Sequence, residues 1–272
     1  MVSFSLAGCS QVADWVNEKF PNNVIFNQNG GGITDIITGG GSNTTGGGSN
    51  NDGQKDDGSY YSTITDSMRG TTLLNALRAI ISSNVSQSYA WSRYEQADED
   101  PNNKSNIITI YARTSLKKTA HVSGNKGWNR EHTFPQSKMN VAGSDEDNHI
   151  IFASDYKVNS TRGNKKLGVL NGGGTAVQDS YGNSTTARTT SGLFDPGDTM
   201  ARGLVARSTM YACVMYGYTP TENFESISTM LNWNATYKVS SFEERRNNVV
   251  YKNQHNRNPF IDHPEYAARI WG

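Results

Sequence analysis

Cysteine is nearly absent, with only Cys9 and Cys213 in 272 residues. That scarcity excludes a disulfide framework. Cys213 lies in the apolar run Met210-Tyr211-Ala212-Cys213-Val214-Met215 and reads as a buried structural thiol. No stretch approaches the ~20 apolar residues that span a bilayer. Net charge is missing too, 25 basic residues facing 25 acidic ones, which alone argues neither for nor against a nucleic-acid partner. The balance is uneven, however. Only Lys19 and Lys55 precede Tyr60, against Asp14, Glu18, Asp35, Asp52, Asp56 and Asp57. The remainder is therefore mildly cationic, which suits a polyanionic substrate without proving one.

At 35% hydrophobic content the chain can build one sizeable core, or a core plus an appendage. Residues 1–29 read as a truncated export segment and a short helix. Leu6-Ala7-Gly8-Cys9 has the pattern of a bacterial lipoprotein cleavage site, so a lipid on Cys9 would tether the protein to a membrane. Val12, Trp15, Val16 and Phe20 give the helix its apolar side. Residues 30–59 turn to Gly, Ser, Asn, Thr and Asp, a flexible tether. The folded domain is expected over 60–272.

Within it, Leu73, Leu74, Leu77, Ile80 and Ile81 predict an amphipathic helix over about 71–83. Asn106 to Tyr111 predicts a strand, and the polar residues 113–130 predict a hairpin leading to His132. Asp155 is placed to cap a helix carrying Asn159 and Arg162 on one face. Gly172-Gly173-Gly174 opens an expected loose stretch to about Gly192. A long helix follows over 199–216, closed by Gly217, then helical sequence over 225–248 with a break near Asn232-Trp233-Asn234.

Two motifs carry chemistry: Trp128-Asn129-Arg130-Glu131-His132-Thr133-Phe134-Pro135-Gln136-Ser137 and Lys157-Val158-Asn159-Ser160-Thr161-Arg162-Gly163-Asn164. They hold the parts of a single-metal phosphodiesterase. A neutral imidazole at His132 can take a proton from water. Glu131 and Asn159 offer one charged and one neutral oxygen to a hard cation such as Mg2+, with Mn2+ or Ca2+ as substitutes. Neighbours on an extended strand point apart, so a bend is expected between Glu131 and His132. Arg162 is read as a catalytic brace on the phosphate. Arg130, Lys157, Lys165, Lys166 and Arg257 are candidates for gripping substrate backbone. The stretch Asn253 to Glu265 reads mainly as a structural clasp, with Arg257 facing phosphate as the sharper alternative. His121 is expected in an exposed polar loop. Asp98-Glu99-Asp100 and Asp145-Glu146-Asp147 are expected to be solvated acidic loops, with a structural cation as the alternative.

These motifs, with Asn256-Arg257-Asn258-Pro259-Phe260-Ile261-Asp262-His263-Pro264, resemble the bacterial endonuclease I family from about Tyr60 to Trp271. The resemblance implies an α+β, mainly helical domain around a ββα-metal finger. It further implies a secreted or periplasmic nuclease of low sequence preference, cutting DNA and often RNA to 5′-phosphates. In that role His132 is the general base and Glu131 and Asn159 are the magnesium ligands. The chain departs from the family pattern at Ile150, where an asparagine is usual, and at Phe152, where an arginine is common; a repacked finger loop or lower activity is expected. The combined expectation is an exported or cell-surface, magnesium-dependent, sequence-nonspecific endonuclease acting on DNA and possibly RNA, with no protein partner implied. A nuclease acting chiefly on RNA and an inactive nucleic-acid-binding lipoprotein are the alternatives.

Overall fold

Leu73, Leu77 and Ile81 recur every fourth residue, and that spacing decides the first helix. In the computed structural model, which describes residues 59–272 apart from Asn84, α1 spans Gly70–Ile81 and buries all three. The expected export segment with Cys9, its short helix and the tether up to residue 58 lie outside the described residues. The described residues form an α+β fold, mainly helical, with three small sheets.

After α2 (Trp91–Ala97) comes an antiparallel sheet of β1 (Glu99–Asp100), β2 (Asn103–Ile108) and β3 (Ser115–Lys117). A separate ribbon pairs β4 (Trp128–His132) antiparallel with β5 (Ile151–Asp155). α3 (Tyr156–Arg162) follows β5 directly, completing a ββα unit. The hairpin expected over 113–130 does not form as one unit, and residues 120–122 meet β4 only at Trp128, through a His121–Trp128 bridge. β3 pairs with β2, and residues 123–126 make only a tight turn closed by a Ser123–Lys126 bridge. The physical reason is burial: Ile151, Phe152 and Ala153 of β5 can be enclosed in the core, whereas the polar residues before β4 cannot.

The stretch expected to be loose after Gly172 is a sheet. β6 (Lys166–Leu167), β7 (Thr175–Gln178), β8 (Ser184–Thr189) and β9 (Leu193–Asp195) stand in the order β6-β9-β8-β7. Val177 and Ala187 turn inward, and the Asp179 carboxylate accepts bonds from the Tyr181 and Asn183 backbone amides to close the hairpin.

α4 (Thr199–Tyr216) is buried along most of its length and ends at Gly217, whose φ of +77° is cheap only for glycine. Around it pack α5 (Pro220–Asn223), α6 (Ile227–Thr236), α7 (Ser241–Gln254), α8 (Pro259–Asp262) and α9 (Tyr266–Trp271). The break expected at Asn232–Asn234 falls instead at 237–240. Trp233 is buried within α6, and the Ser240–Glu243 capping box starts α7 anew. Glu243 also receives the buried Arg207 guanidinium at 2.6 Å and 3.0 Å, joining α7 to α4.

Neither acidic cluster is solvated throughout. Asp98 is buried, paired with Arg246 of α7 at 2.6 Å, and accepts the Ala153 amide of β5 at 2.7 Å. Arg246 continues to the carbonyls of Asn148 and Ile151, with its guanidinium 3.5 Å from the centre of the Phe152 ring. Asp147 is buried and accepts bonds from the hydroxyls of Tyr211 and Tyr216, the Gln254 amide and the His149 backbone. In both cases donors from distant elements replace water around a carboxylate.

His149 is buried beside Asp147 with Nε2 at 3.0 Å from the Asn256 carbonyl, and burial lowers its pKa to about 4. An unfolded histidine titrates near ~6.5. Between those values the unfolded chain binds the extra proton, so stability is complete above about pH 6.5 and falls as pH drops toward about 4. The full loss is about 3 kcal/mol. His149→Gln, which keeps a donor for Asn256, is expected to flatten this decline. Urea unfolding at pH 7 and pH 4.5 checks it, with equal losses in both proteins as the contrary result.

Candidate active site

β4 and α3 position the two motifs. Asp155 ends β5 and caps α3, accepting the amides of Lys157 at 3.0 Å and Val158 at 3.2 Å. It also takes the Ser180 amide and hydroxyl, fixing the helix start to the β7–β8 turn. The register of β4 against β5 runs without a slip from Trp128↔Asp155 to His132↔Ile151. The bend expected between Glu131 and His132 therefore does not occur: regular pairing on the buried β5 holds both residues on extended backbone. Their side chains leave on opposite faces of the ribbon.

One face looks to α3. Asn159 donates its Nδ2 to Asn129 Oδ1 at 2.8 Å and to the Arg130 carbonyl at 3.3 Å, which sets its side chain against the peptide that leads into Glu131. Two acceptors on Nδ2 define the amide orientation and leave Oδ1 to act as a ligand. Glu131 is 3% exposed. Its Oε1 accepts the Tyr111 hydroxyl at 2.6 Å and lies 3.4 Å from Arg162 Nη1. Burial pushes the Glu131 carboxyl above its ordinary range, with Arg162 and the Tyr111 hydroxyl pulling the other way.

His132 lies on the other face, 8% exposed. Its Nε2 is 3.0 Å from the Asp145 carbonyl, and its ring stacks on Tyr89 at 5.8 Å. A carbonyl only accepts, so Nε2 carries the hydrogen and Nδ1 keeps the lone pair. Burial lowers the imidazole pKa, with Asp145 opposing. Arg130 is on this face too, its guanidinium 3.6 Å from the centre of the Tyr89 ring and 4.0 Å from that of Trp91. His121 is not a free loop residue. It stacks on Trp91 at 4.0 Å and meets Glu95 at 3.0 Å.

The Arg162 guanidinium, expected to brace a phosphate, is enclosed in the protein. It is 1% exposed and donates to the carbonyls of His132 (3.2 Å), Thr133 (2.7 Å) and Gly163 (3.0 Å) and to Asn223 Oδ1 (2.6 Å). Being the last residue of a short helix directed into the core, it is consumed in fastening α3 to the end of β4. Arg257 is likewise internal. It pairs with Asp262 at 2.6 Å and 2.7 Å and reaches Asn248 at 3.0 Å, internal bonds that fit the structural-clasp reading of the 253–265 stretch. Lys157 is exposed on α3, while Lys165 and Lys166 are half-buried, Lys165 donating to the Thr161 carbonyl. Tyr111, Tyr89 and Asn223 complete the surroundings of Glu131, His132 and Arg162. None bears a local motif, since each comes from an element remote in sequence.

Ile150 and Phe152 are both core residues. The Phe152 ring lies against the Arg246 guanidinium. Among the described residues no cluster of three His, Cys, Asp or Glu side chains is suited to a metal.

A family model described as Endonuclease I matches residues 69–265. The chain belongs to the endonuclease I family. It is 35% identical over 237 residues to an extracellular ribonuclease of Bacillus amyloliquefaciens, covering 79% of each chain. An extracellular ribonuclease of Bacillus subtilis (strain 168) is also 35% identical, over 238 residues and 79% of each chain. Family membership makes the protein a nucleic-acid hydrolase.

Truncating Arg162 removes the cation beside buried Glu131 and leaves the His132 and Thr133 carbonyls without a donor. Arg162→Ala is expected to cost about 3–5 kcal/mol of stability. Arg162→Lys should recover only part of it, because an ammonium cannot span the fork of acceptors. Urea denaturation of the three proteins measures this. Unchanged stability with lost turnover would return Arg162 to the reaction itself.

Proposed function

We propose that this protein is an exported, magnesium-dependent endonuclease of low sequence preference that hydrolyses RNA, and DNA by the same chemistry, to 5′-phosphate products. The ribonuclease names of both Bacillus relatives support RNA as the main substrate, and the word extracellular in those names supports export. The observation that carries the mechanism is the division of β4 into two faces, Glu131 with Asn159 on one and His132 on the other.

Hydrolysis with departure of the 3′ oxygen needs water to enter opposite the leaving group. His132 is suited to receive the water proton on Nδ1, because the Asp145 carbonyl fixes the hydrogen on Nε2 and burial favours the neutral ring. Glu131 Oε2 and Asn159 Oδ1 would hold the cation. The fit rests on the donor set: a buried carboxylate whose pKa is raised without a cation, and a carboxamide oxygen left over once Nδ2 is occupied. Bound there, magnesium would neutralise charge on the phosphate and assist the leaving oxygen. Arg162 steadies Glu131 and the backbone of His132 and Thr133 rather than the substrate. Arg130 and the lysines 157, 165 and 166 supply positive charge that attracts the strand without reading bases.

His132→Ala is expected to lower single-turnover cleavage of RNA by ~10²–10⁴-fold while leaving binding nearly unchanged. Glu131→Gln and chelation should each abolish cleavage, and added magnesium should restore it only to the chelated wild-type protein. Labelled RNA and plasmid DNA, compared under the same conditions, rank the substrates. Wild-type rates for His132→Ala, or full activity in chelator, would overturn the mechanism.

A further inference from the structure

The loop joining β4 to β5 forms a cleft of about 460 Å³ directly beside His132. Asp145 belongs to both: its carbonyl holds the imidazole, and the residue also lines the cleft. Met139 and the 40%-exposed Val141 give the cleft apolar wall, while Gln136, Asn140 and Asp145 add hydrogen-bonding side chains. The lining contains no lysine or arginine and one carboxylate, which disfavours a phosphate there. A ligand with flat apolar faces and a polar edge, a nucleobase, matches the set.

The walls are fixed before any ligand arrives. Tyr218 donates to Ser144 Oγ at 2.8 Å, Ser144 Oγ donates to the Val141 carbonyl at 2.6 Å, and the Val141 amide reaches Tyr218 Oη at 3.3 Å. Phe134, two residues past the imidazole, stacks on Tyr218 at 4.7 Å. Gly143 holds φ +79°, with the Gln87 amide oxygen filling the space a Cβ would need. The same brace therefore sets the loop and the neighbourhood of His132.

We propose that this cleft seats an unpaired guanine beside the scissile phosphate, so that cleavage next to guanine is favoured. The inference rests on the nuclease reading above. Guanine carries two adjacent donors, N1–H and the 2-amino group, which a carboxylate accepts side by side, and no other common base presents that pair. Its Watson–Crick edge is free only in single strands, so the preference belongs to single-stranded substrate.

The test uses end-labelled single-stranded oligouridylates bearing one guanosine, adenosine or cytidine, with magnesium present. The wild-type protein should cut beside guanosine at least about fivefold faster, the low end for a bidentate base contact because Asp145 is exposed. Asp145→Asn should reduce the preference below about twofold. Asn140→Ala should weaken the guanosine advantage through KM. Thermal melts of both variants separate lost recognition from lost folding. Equal rates beside all four bases, or a preference that survives in both folded variants, overturn the inference alone. A wild-type protein that cuts neither RNA nor DNA overturns the nuclease reading and this inference with it.

Discussion

The candidate site depends on one buried guanidinium. Arg162 joins the end of α3 to the end of β4, donating to the carbonyls of His132 and Thr133 and lying 3.4 Å from the Glu131 carboxylate. An always-charged, planar donor set suits this position because several acceptors from different directions must be met without water. Asn223 ties the same guanidinium to the helical half of the fold, itself reaching the Thr133 carbonyl and the Thr209 hydroxyl. The residue that looks from its motif like a phosphate contact is thus the fastening that allows the motif residues to hold their places.

Electrostatics on the two ribbon faces differ in a way that matches two tasks. Around Glu131, burial disfavours the anion, and the Arg162 guanidinium and Tyr111 hydroxyl offset this only in part. Around His132, burial favours the neutral ring and a backbone carbonyl selects its tautomer, the environment of a proton acceptor. A two-stranded ribbon separates these environments by little more than one backbone.

The helical half contributes rigidity at a distance. Asp98, Arg246 and Phe152 connect α7 to β5 through an ion pair, two carbonyl contacts and a ring face. Removing one member strands the others without solvent, so the network holds the ribbon register more than it adds net stability. Phe152 is held in this network by the face of its ring against the Arg246 guanidinium.

Local pattern determined a good part of this protein. The four-residue spacing in α1, the Asp155 cap, the glycine stop of α4 and the adjacent Glu131-His132 with Asn159 are short-range features, and each is written in a few consecutive residues. The family was legible for the same reason, since its motifs are contiguous. Tertiary structure decided what depends on partners far along the chain: that β4 pairs with β5 rather than with the residues before it, that Asp98 and Asp147 are buried, that the Gly172–Gly192 stretch is a sheet, and that Glu131 and His132 part onto two faces. It also decided the fates of Arg162 and Arg257. A motif fixes which functional groups are present, but whether an arginine meets solvent or a set of buried carbonyls depends on which elements pack over it, and no local spacing encodes that.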